Sequence, residues 1–132
     1  MSALFVETSA LLRLVLREKG AAEVEERISK ASRLLASRLI KVEAERALIR
    51  VALDRPEIEG MLPVVEGDLR GIWAKMDFFE ISVSVCDLAG RISPRSSLRT
   101  LDAIHLATYL RARELYPDAK MLSFDDRILA QI

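Results

Sequence analysis

One cysteine, Cys86, and one histidine, His105, are all that the 132 residues offer of the side chains that build most structural metal sites. An internal disulfide is thereby excluded, and so is every zinc site that needs several Cys or His ligands. A lone thiol fits a reducing compartment, so the cytoplasm is the expected location. Net charge is missing too, because 20 Lys and Arg balance 20 Asp and Glu. Without a bulk positive field, a nucleic-acid partner would have to be met by a local patch. No stretch free of charged residues approaches the roughly 20 residues of a membrane-spanning helix. The opening MSALFVET has no basic segment before its apolar run and reaches Glu7 at once, so no secretion signal is expected. Glycine is scarce, at five residues, and neither the GxxxxGK(S/T) phosphate loop nor the GxGxxG turn occurs.

What is present is a globular balance of 51 % apolar and 30 % charged residues. A chain of this length is expected to form a single domain over 1–132 and to bury roughly 68–70 % of its unfolded surface. Ala3-Leu4-Phe5-Val6 is a short apolar run between polar residues and reads as a strand buried on both faces. Thr8 or Ser9 can cap a helix from Ala10 to Lys19, with Gly20 as its stop. A more polar helix is expected from Ala22 to Ala31, then a strand at Leu34-Leu35-Ala36. A long helix follows from Leu39 to Leu53, ended by Asp54 and Pro56. Between Glu57 and Met76 the apolar spacing is helical, yet Gly60, Pro63, Gly67 and Gly71 interrupt it. Two short helices or one kinked helix fit that segment. Phe78 to Ile81 predicts a third strand, Val83 to Ile92 a helix, and Ser93 to Ser97 a loop. Thr100 is a plausible cap for a helix reaching Leu115. Met121 to Phe124 predicts a fourth strand, before a terminal helical turn through Leu129. Strands alternating with helices predict an α/β layer fold around a mostly parallel sheet.

The acids stand in informative positions. Glu7 directly follows the first strand's run, and Asp125 directly follows the fourth's. Residues just past the carboxyl ends of parallel strands line the ligand crevice, so these two should approach if their strands are neighbours. Each could also simply begin a loop or cap a helix. On the Leu39–Leu53 helix, Ile40, Ala44, Ala47 and Val51 form an apolar face, with Glu43 about 60° from its centre. A carboxylate at that rim calls for a cation. Arg46 or Arg50 would serve in a salt bridge, and a metal ion would serve in a site. Asp102 falls in the first turn of its helix, where the helix dipole alone favours an acid. His105 reads as a helix residue at the edge of the core, since no nucleophile accompanies it to complete a Ser-His-Asp triad. Glu7, Glu43, Asp102 and Asp125 can nonetheless be drawn around one pocket. Ligands that offer only oxygen suit a hard divalent cation, Mg²⁺ or Mn²⁺.

Four segments carry a family resemblance. They are Phe5-Val6-Glu7-Thr8-Ser9-Ala10-Leu11-Leu12, Ser37-Arg38-Leu39-Ile40-Lys41-Val42-Glu43, Leu98-Arg99-Thr100-Leu101-Asp102-Ala103-Ile104-His105-Leu106-Ala107 and Leu122-Ser123-Phe124-Asp125-Asp126-Arg127-Ile128-Leu129. In this order, and over nearly the whole chain, they resemble the motifs of PIN-domain ribonucleases of the VapC toxin type. The resemblance places the family's acids on Glu7, Glu43, Asp102 and Asp125. Two positions depart from the pattern: Glu7 stands where Asp is usual, and Ser123 where Thr is usual. Many relatives also continue into a last strand beyond the position of Ile132, so the final sheet edge is expected either to be missing or to be supplied differently.

The resemblance implies a three-layer α/β/α sandwich with a mostly parallel central sheet. It further implies a metal-dependent endoribonuclease that hydrolyses RNA phosphodiesters in line, using one or two Mg²⁺ or Mn²⁺ ions. The four acids would be the catalytic and metal-holding residues, with the Ser9 hydroxyl in support. A homodimer and a cognate antitoxin protein are implied as partners. The change at Glu7 opens an alternative, a catalytically impaired PIN-like domain that binds protein or RNA. A receiver-like phosphorylation domain is set aside, because Glu7-Thr8 lacks the adjacent acidic pair such domains carry after their first strand. Arg outnumbers Lys by 15 to 5, which suits phosphate forks, but no single Arg stands out as substrate-binding.

Overall fold

Short apolar runs separated by amphipathic segments can bury their two faces only by lying between helical layers. The computed structural model, which describes residues 2–132, takes that form. Strands β1 (Ala3–Val6), β2 (Arg33–Ser37), β3 (Met76–Phe79) and β4 (Lys120–Leu122) make one sheet in the order β3-β2-β1-β4. Every pairing in it is parallel. Helices α1 (Thr8–Val15) and α2 (Ala21–Lys30) connect β1 to β2. Helix α3 (Leu39–Asp54), a 3-10 turn (Pro56–Met61) and α4 (Leu62–Lys75) connect β2 to β3. Helices α5 (Val83–Ala89) and α6 (Thr100–Leu115) lead to β4, and α7 (Asp126–Leu129) follows it.

Alternation along the strands divides the core into two layers. Leu4, Val6, Leu34 and Ala36 pack with Ala10, Leu11, Val24, Ile40, Ala44 and Leu69 from α1 to α4. On the opposite face, Phe5, Leu35 and Met121 pack with Leu106, Tyr109 and Ala112 of α6 and Ile128 of α7. Phe5 and Tyr109 meet edge to face, with ring centroids 5.5 Å apart. The fold is therefore a three-layer α/β/α sandwich with a parallel centre, as the sequence implied. Among the described residues no helix is long and apolar enough to cross a membrane.

Several boundaries differ from expectation. Helix α1 ends at Val15 rather than Lys19, because Arg17 turns to φ 54° and the Glu18 amide donates back to the Arg13 carbonyl. Gly20 does not stop α1 but caps the start of α2 with φ 95°. Glu7, not Thr8 or Ser9, is the residue flanking α1, and Arg99, not Thr100, flanks α6. Helix α5 ends at Ala89, three residues short of the expected end. Strand β3 begins two residues early, since its register sets Met76 against Leu34 and Phe79 against Ser37. Glu80, just beyond it, is taken by the Arg38 guanidinium at 2.7 Å. Strand β4 stops at Leu122 because the Phe124 amide leaves the ladder and donates to Ser9 Oγ at 2.8 Å.

Gly20 is the one glycine whose backbone requires glycine. A Cβ there would combine a positive φ with an approach of 3.0 Å to Phe124 Cζ, whose ring also carries the Arg13 guanidinium 4.2 Å from its centroid. Gly20→Ala is expected to destabilise the protein by about 1–2 kcal/mol, the cost of a left-handed L-residue. Urea unfolding checks this, and an unchanged midpoint would refute it.

Candidate active site

The chain leaves β1 towards β2 on one side and reaches β4, on the other side of β1, only near its end. The carboxyl ends of β1 and β4 thus form a topological switch point, the place where open parallel sheets bind ligands. Glu7 and Asp125 follow those two ends. The Glu7 amide donates to the Leu122 carbonyl at 3.0 Å, which extends the pairing one bond beyond the strands. Its side chain is turned inward, and the residue is only 5 % exposed. The Ser9 hydroxyl donates to Glu7 Oε1 at 2.5 Å, and the Ser123 hydroxyl donates to the same oxygen at 2.6 Å. Ser123 Oγ also accepts the Asp125 amide at 2.9 Å. Two small hydroxyl residues therefore stitch the start of α1 to the turn after β4.

Asp125 caps the short α7, its Oδ1 accepting the Arg127 amide at 2.9 Å. The Arg127 guanidinium lies 3.3 Å from Asp125 Oδ2 and 3.5 Å from Asp102 Oδ2. Burial pushes the Asp125 carboxyl up, but hydrogen bonds from the Arg127 side chain and amide outweigh it and hold the group below its ordinary value. Asp102 stands in the first turn of α6 with its side chain 15 % exposed. Its Oδ2 is buried and has no hydrogen-bond partner. Arg127 is within ion-pair range of that oxygen but outside hydrogen-bond length.

Glu43 is held from two other helices. Thr8 Oγ1 donates to its Oε1 at 2.6 Å, and the His105 ring, through Nε2, donates to the same oxygen. No ion pair with Arg46 or Arg50 forms among the described residues, which corrects that part of the sequence reading. Burial raises the Glu43 carboxyl, but the hydrogen bonds from His105 and Thr8 prevail and leave it below its ordinary value. His105 is not at the edge of the core but within it, 1 % exposed. Sequence inspection missed its role because the two partners lie 62 positions apart. The available signal was the rim position of Glu43, which called for a donor that no nearby Arg supplies.

The four acids lie towards one end of the sheet in two groups: Ser123 and Arg127 link Glu7, Asp125 and Asp102, whereas Thr8 and His105 hold Glu43. Among the described residues no three of them stand together as a ready-made ion cage. The donor chemistry nevertheless suits a hard cation. Both hydroxyls that meet Glu7 take Oε1, and both donors that meet Glu43 take Oε1. Each Oε2 is left without a protein hydrogen bond among the described residues, and Asp102 Oδ2 is buried without one. Uncommitted carboxylate oxygens of this kind are the ligands that Mg²⁺ and Mn²⁺ prefer.

The class of structure is thus a three-layer α/β/α fold whose four acids lie towards the carboxyl edge of a parallel sheet. The sequence profile of the PIN domain matches residues 4–132, and the chain belongs to the PIN domain family. It is 33 % identical over 129 residues to Ribonuclease VapC46 of Mycobacterium tuberculosis, covering 97 % of this chain and 88 % of that protein. Ribonuclease VapC35 of the same species is 33 % identical over 127 residues, 95 % of this chain and 86 % of its own. The fold is similar to that of PAE2754 from Pyrobaculum aerophilum, with a TM-score of 0.68 at 21 % identity over 98 % of this chain and 79 % of that one. It is also similar to a chain of VapBC2 from Rickettsia felis, solved bound to a promoter DNA fragment. There the TM-score is 0.61 at 8 % identity, over 93 % of this chain and 99 % of that one.

A carboxyl whose folded pKa lies below its unfolded value stabilises fully above the unfolded value, about 4.3 for Glu, and loses that contribution as pH falls through the folded one. Glu43 and Asp125 both have lowered values. Stability in metal-free buffer is therefore expected to decline on acidification below about pH 5, and Glu43→Gln to decline less steeply. Denaturant titrations at stepped pH provide the check, and an equally steep decline in the variant would contradict it.

Proposed function

We propose that this protein is a metal-dependent endoribonuclease, the toxin of a type II toxin–antitoxin pair, acting in the cytoplasm. The observation that carries the reading is the set of carboxylate oxygens left without a hydrogen bond at this end of the sheet, above all the buried Asp102 Oδ2, whose one cationic neighbour is Arg127 at 3.5 Å. Membership of the PIN family and the similarity to two VapC ribonucleases supply the substrate class. Glu7, Glu43, Asp102 and Asp125 would hold the ion or ions. Mg²⁺ or Mn²⁺, when bound, polarises a phosphodiester and makes a nearby water more acidic.

The chain's own residues do the positioning. Ser9 and Ser123 hold Glu7 by one oxygen, which fixes the carboxylate and leaves its other oxygen to the site. Thr8 does the same for Glu43. Arg127 pairs with Asp102 and Asp125, and its half-exposed guanidinium would meet a phosphate bound at the same edge. Glu7 in place of Asp is read as an adapted ligand, because two hydroxyls already orient the longer side chain. An antitoxin is the proposed protein partner. A homodimer is proposed as the quaternary state, its apolar surface supplied by the groove of about 630 Å³ between α3 and the segment leading through α4, where Ile49, Leu53 and Trp73 lie.

RNA cleavage with Mn²⁺ or Mg²⁺ tests the activity. The natural protein is expected to cut, Asp102→Asn to lose cutting, and Glu7→Asp to show no gain. MnCl₂ should also raise the Tm, by the equivalent of about 2.7 kcal/mol at 100 times Kd. Failure of both the natural protein and Glu7→Asp to cut any RNA would sink the nuclease reading and leave a binding module. Light scattering tests the dimer: Leu53→Glu should shift it to monomer, and a natural protein already monomeric at high micromolar concentration removes it.

A further inference from the structure

We infer that His105 is a positioning residue for Glu43, placed to hold one carboxylate oxygen so that the other is presented to a divalent cation. The inference rests on the metal-dependent reading above and assigns a role to a side chain that reading leaves unused. His105 is 1 % exposed, and its Nε2 meets Glu43 Oε1. Thr8 Oγ1 donates to the same Oε1 at 2.6 Å and lies 3.3 Å from the ring nitrogen. Oε1 is thus served by two donors, whereas Oε2 has none among the described residues. A carboxylate accepts through either oxygen, so the asymmetry comes from where the donors stand.

The carboxylate facing the ring fixes the tautomer. Glu43 Oε1 can only accept, so Nε2 carries a hydrogen. His105 Nδ1 is buried and has no partner, so it is an unmatched polar atom whichever tautomer is present. For packing alone this is a poor choice, since Leu106, Tyr109 and Ala112 of the same helix fill the core without an unmatched polar atom. A histidine kept where an apolar side chain would fit is a local departure of the kind expected at working sites.

Helix geometry ties the residue to the rest of the acids. Asp102 and His105 are three positions apart on α6 and share one of its faces. Glu43 touches His105, so it stands on the same side of α6 as the unbonded Asp102 Oδ2. Outer partners that orient a ligating carboxylate typically change metal affinity or activity by about 10–100-fold when removed.

The test is Mn²⁺ affinity, measured on the metal alone by the electron paramagnetic resonance of free Mn²⁺. His105→Leu keeps an apolar bulk and removes the donor; Mn²⁺ binding should weaken by about 10–100-fold. His105→Gln returns an N–H near the Nε2 position and should restore most of that affinity, whereas His105→Asn, whose amide is shorter, should not. In RNA cleavage the loss should fall on kcat, with KM for RNA little changed. Thr8→Val against Thr8→Ser repeats the comparison at the second donor and decides the matter if His105→Leu does not fold. Leucine binding Mn²⁺ as tightly as histidine would overturn the inference while leaving the metal reading intact. So would a glutamine variant as weak as the leucine one at natural Tm. A natural protein that takes up no Mn²⁺ removes the metal reading, and this inference falls with it.

Discussion

A carboxylate withdrawn from water must be met by donors or by a cation, and this protein withdraws several of like sign at one end of one sheet. The solution uses few groups. Two serine hydroxyls meet Glu7, a threonine and a histidine meet Glu43, and one arginine stands between Asp102 and Asp125. Each of these partners comes from a different element than the acid it serves, or from the next turn of chain. The acids therefore hold α1, α3, α6 and the β4–α7 turn in register at the carboxyl edge. What looks like a cost at the site is also what fastens the layers there.

The partly matched donors have a consequence for stability. Hydrogen bonds to charged groups contribute about 1.5–3 kcal/mol each, but an unmatched buried oxygen offsets a similar amount. Asp102 Oδ2 is such an oxygen, and the Arg127 contact, from a half-exposed side chain, is screened by solvent and compensates weakly. Under the proposed metal-dependent reading, a bound cation would supply the partner that this oxygen lacks.

Legibility in the sequence followed the length over which a pattern runs. Helix α6 was bounded correctly from Thr100 to Leu115, and β1 from Ala3 to Val6, because periodicity or an uninterrupted apolar run fixes each. Strands β3 and β4 were displaced by two residues or less at their starts, since a run such as Phe78 to Ile81 does not say which residue faces its neighbour. Only the register against β2 decides that. The switch-point placement of Glu7 and Asp125 was legible, because it follows from strand ends and order alone. The contact of His105 with Glu43 was not. It depends on two helices meeting across the end of the sheet, and a lone histidine among apolar residues carries no local sign of its partner.

The two departures from the family pattern lie on the same hydrogen bond. Glu7 is one methylene longer than the usual aspartate, and Ser123 lacks the methyl group of the usual threonine. In the structure the Ser123 hydroxyl donates to Glu7 Oε1 at 2.6 Å while also receiving the Asp125 amide. Serine keeps the hydroxyl donor that the longer acid uses. Both residues are nearly closed to solvent, at 5 % and 9 % exposed, so the fit between them cannot be relaxed outward into water. A Glu and Ser pair carries the same number of side-chain carbons as an Asp and Thr pair, and swaps that conserve total volume are the ones a packed interior accepts most readily. Glu7 and Ser123 thus share one buried hydrogen bond, and that contact is the physical basis for proposing Glu7 as an adapted ligand.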